Sequence, residues 1–338
     1  MDQLHGKTAI VCGGSAGVGR ATVDALVSRG CRVGVIARGE DRLDEIARDY
    51  GTGEAGLPRV ATASADVSDH AALEKATDAL VAELGPPEIW VNCAMLTSFS
   101  PFREMEPAEF ERIVAVTFLG QVNGCRAALR LMTRGAIVNV GSGLAYRSVP
   151  FQSAYVAAKH AINGFTGSLR SELIREGRDI TLSLVQLPSI NTPQFDWARN
   201  RLPRQPKPAE PVYAPEVAAG AILRAVLEGP RELLVGNTVL KLAAGQALAP
   251  DWLDHKLAAD GAEAQMSGRA EHGPREGNLD DPAPYPASAS GSYGHLAADR
   301  ALVIDGDHAR WAGLGAIALT GFALGLALGA PAGRRRRH

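Results

Sequence analysis

A tyrosine and a lysine four positions apart, in Tyr155-Val156-Ala157-Ala158-Lys159, are the pair in this chain best suited to moving a proton. The segment has helical periodicity, and positions i and i+4 share one helix face, which sets the ammonium near the phenol. A free phenol titrates near pH ~10 and is a poor base at neutrality. A neighbouring cation favours the phenolate and draws that value toward the working pH. Such a pair alone is common on protein surfaces. Here, however, Ser142 stands 13 residues upstream, at the end of the apolar run Ala136-Ile137-Val138-Asn139-Val140. A hydroxyl in that place can hydrogen-bond a substrate carbonyl and steady charge that develops on its oxygen.

A second stretch, Cys12-Gly13-Gly14-Ser15-Ala16-Gly17-Val18-Gly19, follows a strand-like run and opens a helical one. A backbone turning under a pyrophosphate needs residues without Cβ at the closest approaches, and the helix N-terminus then offers N–H groups and a favourable dipole. At the end of the next strand, dinucleotide sites that take NAD place a carboxylate on the ribose hydroxyls. This chain has Ala37-Arg38 there. A guanidinium suits a 2′-phosphate through planar, charge-assisted bonds, so the expected cofactor is NADP(H) in preference to NAD(H). The competing reading of Arg38 is a solvated surface charge.

Gly13, Gly17 and Gly19 stand as G-x-x-x-G-x-G, and with Ser142 and the Tyr-x-x-x-Lys pair they resemble the core of the classical short-chain dehydrogenase/reductase family, over roughly residues 5–240. The resemblance implies hydride transfer between a nicotinamide dinucleotide and a carbonyl or alcohol carbon, with Tyr155 as acid and base. It implies that Lys159 also binds the nicotinamide ribose and that Asp66-Val67 contacts the adenine. It assigns Gly13, Ser15, Gly17, Val18, Gly19, Asn92, Ala94 and Thr192 to the cofactor as well. It further implies a homodimer or homotetramer. The chain departs from the family pattern in several places. Asn92-Cys93-Ala94-Met95 replaces Asn-Asn-Ala-Gly, so Met95 stands where backbone freedom is usual. Thr117, in Val116-Thr117-Phe118-Leu119-Gly120, replaces a catalytic Asn, and its hydroxyl is expected to hold a water in a rewired proton relay. Cys12 replaces a Thr, and Pro188-Ser189-Ile190-Asn191-Thr192 lacks the Gly of the nicotinamide loop.

These residues need a scaffold of alternating strands and helices. Strands are expected over Thr8–Cys12, Arg32–Ala37, Val60–Ala63, Ile89–Asn92, Ala136–Val140, Ile180–Gln186 and Glu232–Val235. Helices are expected near Gly17–Arg29, Asp41–Tyr50, Ala71–Leu84, Glu109–Met132, Ala154–Arg175 and Pro215–Leu227. The sum is an α/β, doubly wound parallel sheet of about seven strands, a Rossmann-type catalytic domain over 1–245. Phe195–Val212 sits where such folds place a substrate lid; the competing reading is a Pro-rich surface loop packed on itself. Residues 246–310 read as a largely flexible extension, because 267–295 is dense in Gly, Pro, Ser and acids and has little apolar surface to bury. Residues 311–338 read as an apolar helix with an Arg-rich end, Arg334–Arg337. The uncharged stretch Ala312–Ala330 is about long enough to cross a bilayer, with Gly321, Gly325 and Gly329 on one face, but its Ala/Gly content makes insertion marginal. A helix lying on the membrane surface and a buried subunit-contact helix are the alternatives.

With 338 residues, 46% of them hydrophobic, the chain can bury a sizeable core, and a net charge of −2 leaves no field to recruit nucleic acid. Cys12, Cys31, Cys93 and Cys125 form no C-x-x-C pair and no metal spacing, so neither disulfides nor a metal is expected. The N-terminus shows no secretory leader, which suits a cytoplasmic enzyme, membrane-associated only if 312–337 binds lipid. The rival functions are a dinucleotide-binding regulator or scaffold, which Thr117 and the Asn92–Met95 loop favour, and a membrane-anchored lipid-modifying reductase.

Overall fold

Apolar runs that are buried along their whole length, such as Thr8–Cys12, form strands covered by helices on both faces. The computed structural model describes residues 3–51, 58–313 and 315. In chain order they give β1 (Thr8–Cys12), α1 (Gly17–Ser28), β2 (Arg32–Ala37), α2 (Glu40–Tyr50), β3 (Val60–Ser64), α3 (His70–Leu84) and β4 (Ile89–Asn92). There follow α4 (Pro107–Val114), α5 (Gly120–Leu131), β5 (Arg134–Ser142), α6 (Ser153–Glu176), β6 (Asp179–Leu187), α7 (Pro215–Glu228), β7 (Glu232–Val235), α8 (Gly236–Leu248), α9 (Pro250–Lys256) and β8 (Val303–Asp305).

The main sheet has eight strands in the order β8-β7-β6-β5-β4-β1-β2-β3. The reversal beside β1 opens the crevice at the strand ends where open α/β sheets bind ligands. Every pairing is parallel except that of β8, which runs antiparallel to β7 with Leu234 opposite Ile304. The seven expected strands are therefore present, and the eighth comes from the extension. Two apolar layers sandwich the sheet, one containing Val11, Val35 and Val185, the other Ile10, Trp90 and Ile137. Alternate residues of β1 feed opposite layers, as a pleated strand requires. One expected helix is interrupted: a wide turn of π-helix at Ala115–Leu119 separates α4 from α5 and carries Thr117.

The extension does not follow its composition. The structure lays the segment expected as a flexible tether against the catalytic domain. Met266–Ala270 pairs antiparallel with Arg204–Pro206, and Ala297–Ala298 pairs parallel with Val212–Tyr213. Leu279 is fully buried in the core layer of Ile10 and Trp90. Between these anchors the order comes from arginines that donate to main-chain carbonyls, a source of stability that low hydrophobicity does not remove. Of the tail segment Ala312–Ala330, only 312, 313 and 315 lie within the described residues; the rest, with Arg334–Arg337, lies outside them. Among the described residues no helix is long and apolar enough to cross a membrane.

Candidate active site

A cavity of about 500 Å³ opens at the ends of β1, β2, β4, β5 and β6. Its floor holds Gly13, Ser15, Gly17, Val18, Gly19, Arg38, Asp66, Val67, Ala94, Ser142, Tyr155, Lys159 and Thr192, so most of the residues singled out in the sequence converge here. Asn92 and Thr117 do not reach it.

The loop from β1 to α1 needs its glycines. A Cβ on Gly13 (φ +83°) would lie 2.5 Å from the Ala94 nitrogen, and one on Gly19 would lie 2.0 Å from the Gly13 carbonyl oxygen. The loop thus folds tightly over the Asn92–Met95 segment and starts α1 at the cavity edge, a geometry suited to a pyrophosphate. Met95 lines the cavity at no backbone cost, because Phe151 is the one non-glycine residue with positive φ among the described residues. The position tolerates a side chain, so the departure from Gly leaves the loop intact.

Asn92 points away from the cleft. Its carboxamide accepts from Trp90 Nε1 at 2.8 Å and donates to Asn139 Oδ1 at 2.8 Å, and Asn139 donates in turn to Thr166 Oγ1. The side chain locks β4 to β5, which corrects its expected place on the cofactor. Thr117 is corrected in the same way. Its buried hydroxyl accepts from the Leu96 N–H and donates to the Leu96 carbonyl, each at 2.9 Å. With its one proton engaged, the hydroxyl pins the loop after β4 and holds none to relay.

Ser142 ends β5, where its N–H donates to Gln186 Oε1 at 2.8 Å and its hydroxyl accepts from the Leu144 N–H at 3.1 Å. Tyr155 and Lys159 project from the first turns of α6, and the ammonium lies 5.5 Å from the phenol ring centre. It donates to the Val140 carbonyl at 2.8 Å. Burial pushes the Tyr155 phenol up to about 12, against the lowering effect of its hydrogen bond with Ser142. Burial likewise brings Lys159 down to about 8. The expected lowering of the phenol by Lys159 is therefore not seen: burial sets the direction, Ser142 is the group that opposes it, and the ammonium is held on Val140. A phenol protonated at neutral pH, hydrogen-bonded to a serine and backed by a cation, has the chemistry to give a proton to a carbonyl oxygen.

At the other end, Arg38 and Arg42 flank a floor of Ile36, Ala37 and Val67. No carboxylate caps β2. Asp66 accepts from Ser68 and from the Arg112 guanidinium; burial opposes ionisation, yet these donors hold the carboxyl below its usual range. Arg38 is itself engaged: it donates to the main-chain carbonyls of Asn278 at 2.6 Å, Leu279 at 2.9 Å and Asp280 at 3.0 Å. The glycine cradle and the paired guanidinia fit a dinucleotide phosphate, while the extension shares the donors. The sequence reading did not find these strap residues, since nothing in a Gly/Pro-rich segment signals which carbonyls meet which arginines.

The substrate end is mostly apolar, with Gln152, Asp260 and Gln265 also on its lining. Met95, Phe99, Leu144, Phe195 and Leu242 face it, with the Phe99 and Phe195 ring centres 6.0 Å apart. Phe195 and Trp197 of the expected lid both line the cavity, but the Trp197 ring lies 5.2 Å from the Arg42 guanidinium, at the adenosine end. Glu109 ties this lid to the body: its fully buried carboxylate accepts from Arg201 and Ser100, each at 3.1 Å, and pairs with Arg199 at 3.5 Å. A helical cap around α8 and α9, absent from the sequence reading, closes the same end. Its Gln265 accepts from Gln152 at 2.6 Å and donates to the Gly261 carbonyl at 2.8 Å.

Comparison with known proteins agrees with this geometry. Residues 7–201 match the profile of the short chain dehydrogenase family. An uncharacterized oxidoreductase of Bacillus subtilis, YxnA, is 29% identical over 262 residues, covering 76% of this chain and 73% of that one. A dehydrogenase/reductase structure from Sinorhizobium meliloti matches at 30% identity and TM-score 0.56, over 67% of this chain and 89% of the other. A short chain dehydrogenase/reductase structure from Burkholderia phymatum, in complex with NAD, matches at TM-score 0.64 and 22% identity, over 76% and 97% of the two chains. The last is a likeness of fold.

Proposed function

The chain belongs to the short-chain dehydrogenase family, and on that premise we propose an oxidoreductase that transfers a hydride between NADP(H) and a carbonyl or secondary alcohol, with Tyr155 as general acid and base. The observation that carries this reading is the convergence of Ser142, Tyr155 and Lys159 on the cavity that also holds the glycine loop.

Bound dinucleotide supplies the hydride in reduction and accepts it in oxidation. The chain's own part is to position and to move a proton. The Ser142 hydroxyl orients the substrate oxygen and offsets its developing charge. Tyr155, protonated at neutral pH, donates its proton to that oxygen in reduction and takes one back in oxidation. The Lys159 ammonium supports the phenolate left behind and binds the ribose. The apolar wall of Met95, Phe99, Leu144 and Phe195 excludes water and suits a carbonyl carried on an apolar body.

The NADP(H) preference rests on Arg38 and Arg42 at the adenosine end and on the absence of a carboxylate after β2. Oxidation of NADPH and of NADH by wild type and Arg38→Ala, against a panel of aldehydes and ketones, tests it. Arg38→Ala should weaken NADPH by about tenfold or more, a charged hydrogen-bonded pair lost, and NADH by much less. Equal losses for the two cofactors contradict the preference.

A further inference from the structure

Between Arg275 and Tyr293 the extension runs round the mouth of the cleft, docked by ion pairs of Glu276 and Asp280 with Arg199, by Tyr285 on Asp196, and by a run of main-chain carbonyls. Arg38 serves three of them, at Asn278, Leu279 and Asp280. Arg42 donates to the Ala283 carbonyl at 2.6 Å. The N–H of Gly17, in the phosphate loop itself, donates to the Ser288 carbonyl at 2.9 Å. The fully buried side chain of this run is Leu279.

Burial and the neighbouring Arg112 and Arg42 work against the charge on Arg38, while Asp66, itself paired with Arg112, and the strap's Asp280 favour it. In direct hydrogen bonds, however, the strap offers Arg38 main-chain carbonyls and no carboxylate. A phosphomonoester brings full charge and a matching oxygen geometry to a guanidinium, so it outcompetes neutral carbonyls in a half-buried site. A ribose hydroxyl brings neither.

We infer that the strap Asn278–Ser288 is a displaceable part of the cofactor site that sets its selectivity, its Asn278–Asp280 carbonyls competing with a 2′-phosphate for the donors of Arg38. The inference rests on the dinucleotide reading above. In its terms a 2′-phosphorylated ligand binds by releasing the strap from Arg38, whereas an unphosphorylated one leaves that contact in place. The docked strap therefore narrows the preference for NADP(H) over NAD(H), and a chain with a loosened strap discriminates more strongly.

The test uses the full chain, with adenosine 2′,5′-bisphosphate and 5′-AMP as probes in calorimetry. Leu279→Ala removes that buried side chain and should tighten the bisphosphate by about tenfold, on the scale of truncating a buried leucine, and 5′-AMP by less than about twofold. No gain, or equal gains for both ligands, overturns the inference. Arg38→Ala separates the two readings. If it weakens the bisphosphate while Leu279→Ala changes nothing, the cofactor reading stands and the strap inference fails. If wild type and Arg38→Ala bind the two probes alike, both fail together. A second measurement needs no variant. The Ala287 N–H, which donates to Glu45 at 2.9 Å, should exchange faster with the bisphosphate bound than with 5′-AMP bound, since only the 2′-phosphate differs; equal or slower exchange with the bisphosphate overturns the inference.

Discussion

Replacing Thr117 with valine keeps the side-chain shape and removes one hydroxyl. That hydroxyl accepts from one buried backbone N–H and donates to one buried carbonyl, both of Leu96 and both at 2.9 Å. Valine leaves the two groups unpaired out of reach of water, at about 1–3 kcal/mol each. The expected loss of stability is therefore roughly 2–6 kcal/mol, a large part of the ~5–15 kcal/mol that holds a domain together. Guanidinium unfolding should show a lower midpoint at constant slope. Thr117→Ser retains both bonds and should recover most of the loss. Because Thr117 pins the loop that carries Cys93, Ala94 and Met95 along the cavity, kcat should fall with the displaced loop while the shape of its pH dependence stays. A valine variant that costs under ~0.5 kcal/mol, or one that shifts the pH profile with stability intact, refutes the reasoning and restores a proton-relay role.

Two further outcomes follow from the same geometry. With Tyr155 pushed up to about 12 and Lys159 down to about 8, the acid stays protonated through neutral pH while the cation behind it is lost as pH rises through about 8. The reductive kcat/KM should be level below that pH and decline above it, and a steady rise from pH ~7 to ~10 contradicts the assignment. Glu109→Ala strands the guanidinium of Arg201, whose Nε is already buried without a partner, while Arg199 keeps Glu276 and Asp280. Breaking this buried cluster should cost about 3 kcal/mol in chemical unfolding and raise KM more than it lowers kcat, through the loosened lid; a loss under ~1 kcal/mol contradicts it.

The seven strands were legible because each is an apolar run punctuated by glycine or a cap, and burial on both faces leaves little room for another reading. The Gly13–Gly19 loop and the Ser142, Tyr155 and Lys159 set were legible because their chemistry fixes residue type and spacing together. Asn92 was assigned to the cofactor because Asn92-Cys93-Ala94-Met95 resembles the family's loop after this strand, yet a strand alternates its faces, and this side chain falls inward onto Trp90 and Asn139. The phenol of Tyr155 was expected to be lowered by Lys159, but spacing says nothing of the Val140 carbonyl that holds the ammonium or of the burial that raises the phenol. Arg38 was read from its place after β2, and that place is right. Its present partners are main-chain carbonyls some 240 residues away, and no local pattern encodes them. The strap itself misled composition because much of its order depends on carbonyls, which every residue owns, and on arginines contributed by the turn after β2 and by α1, α2 and α4.

The most direct test is Tyr155→Phe, which removes the phenolic hydroxyl and keeps the ring in its packing. If Tyr155 is the proton donor, kcat/KM for carbonyl reduction should fall by about 10²–10⁴, while the Kd for NADPH, which the proposal assigns to the glycine loop and Arg38, should stay within about twofold. A variant that binds NADPH normally and reduces the same carbonyl at the wild-type rate would contradict the assignment.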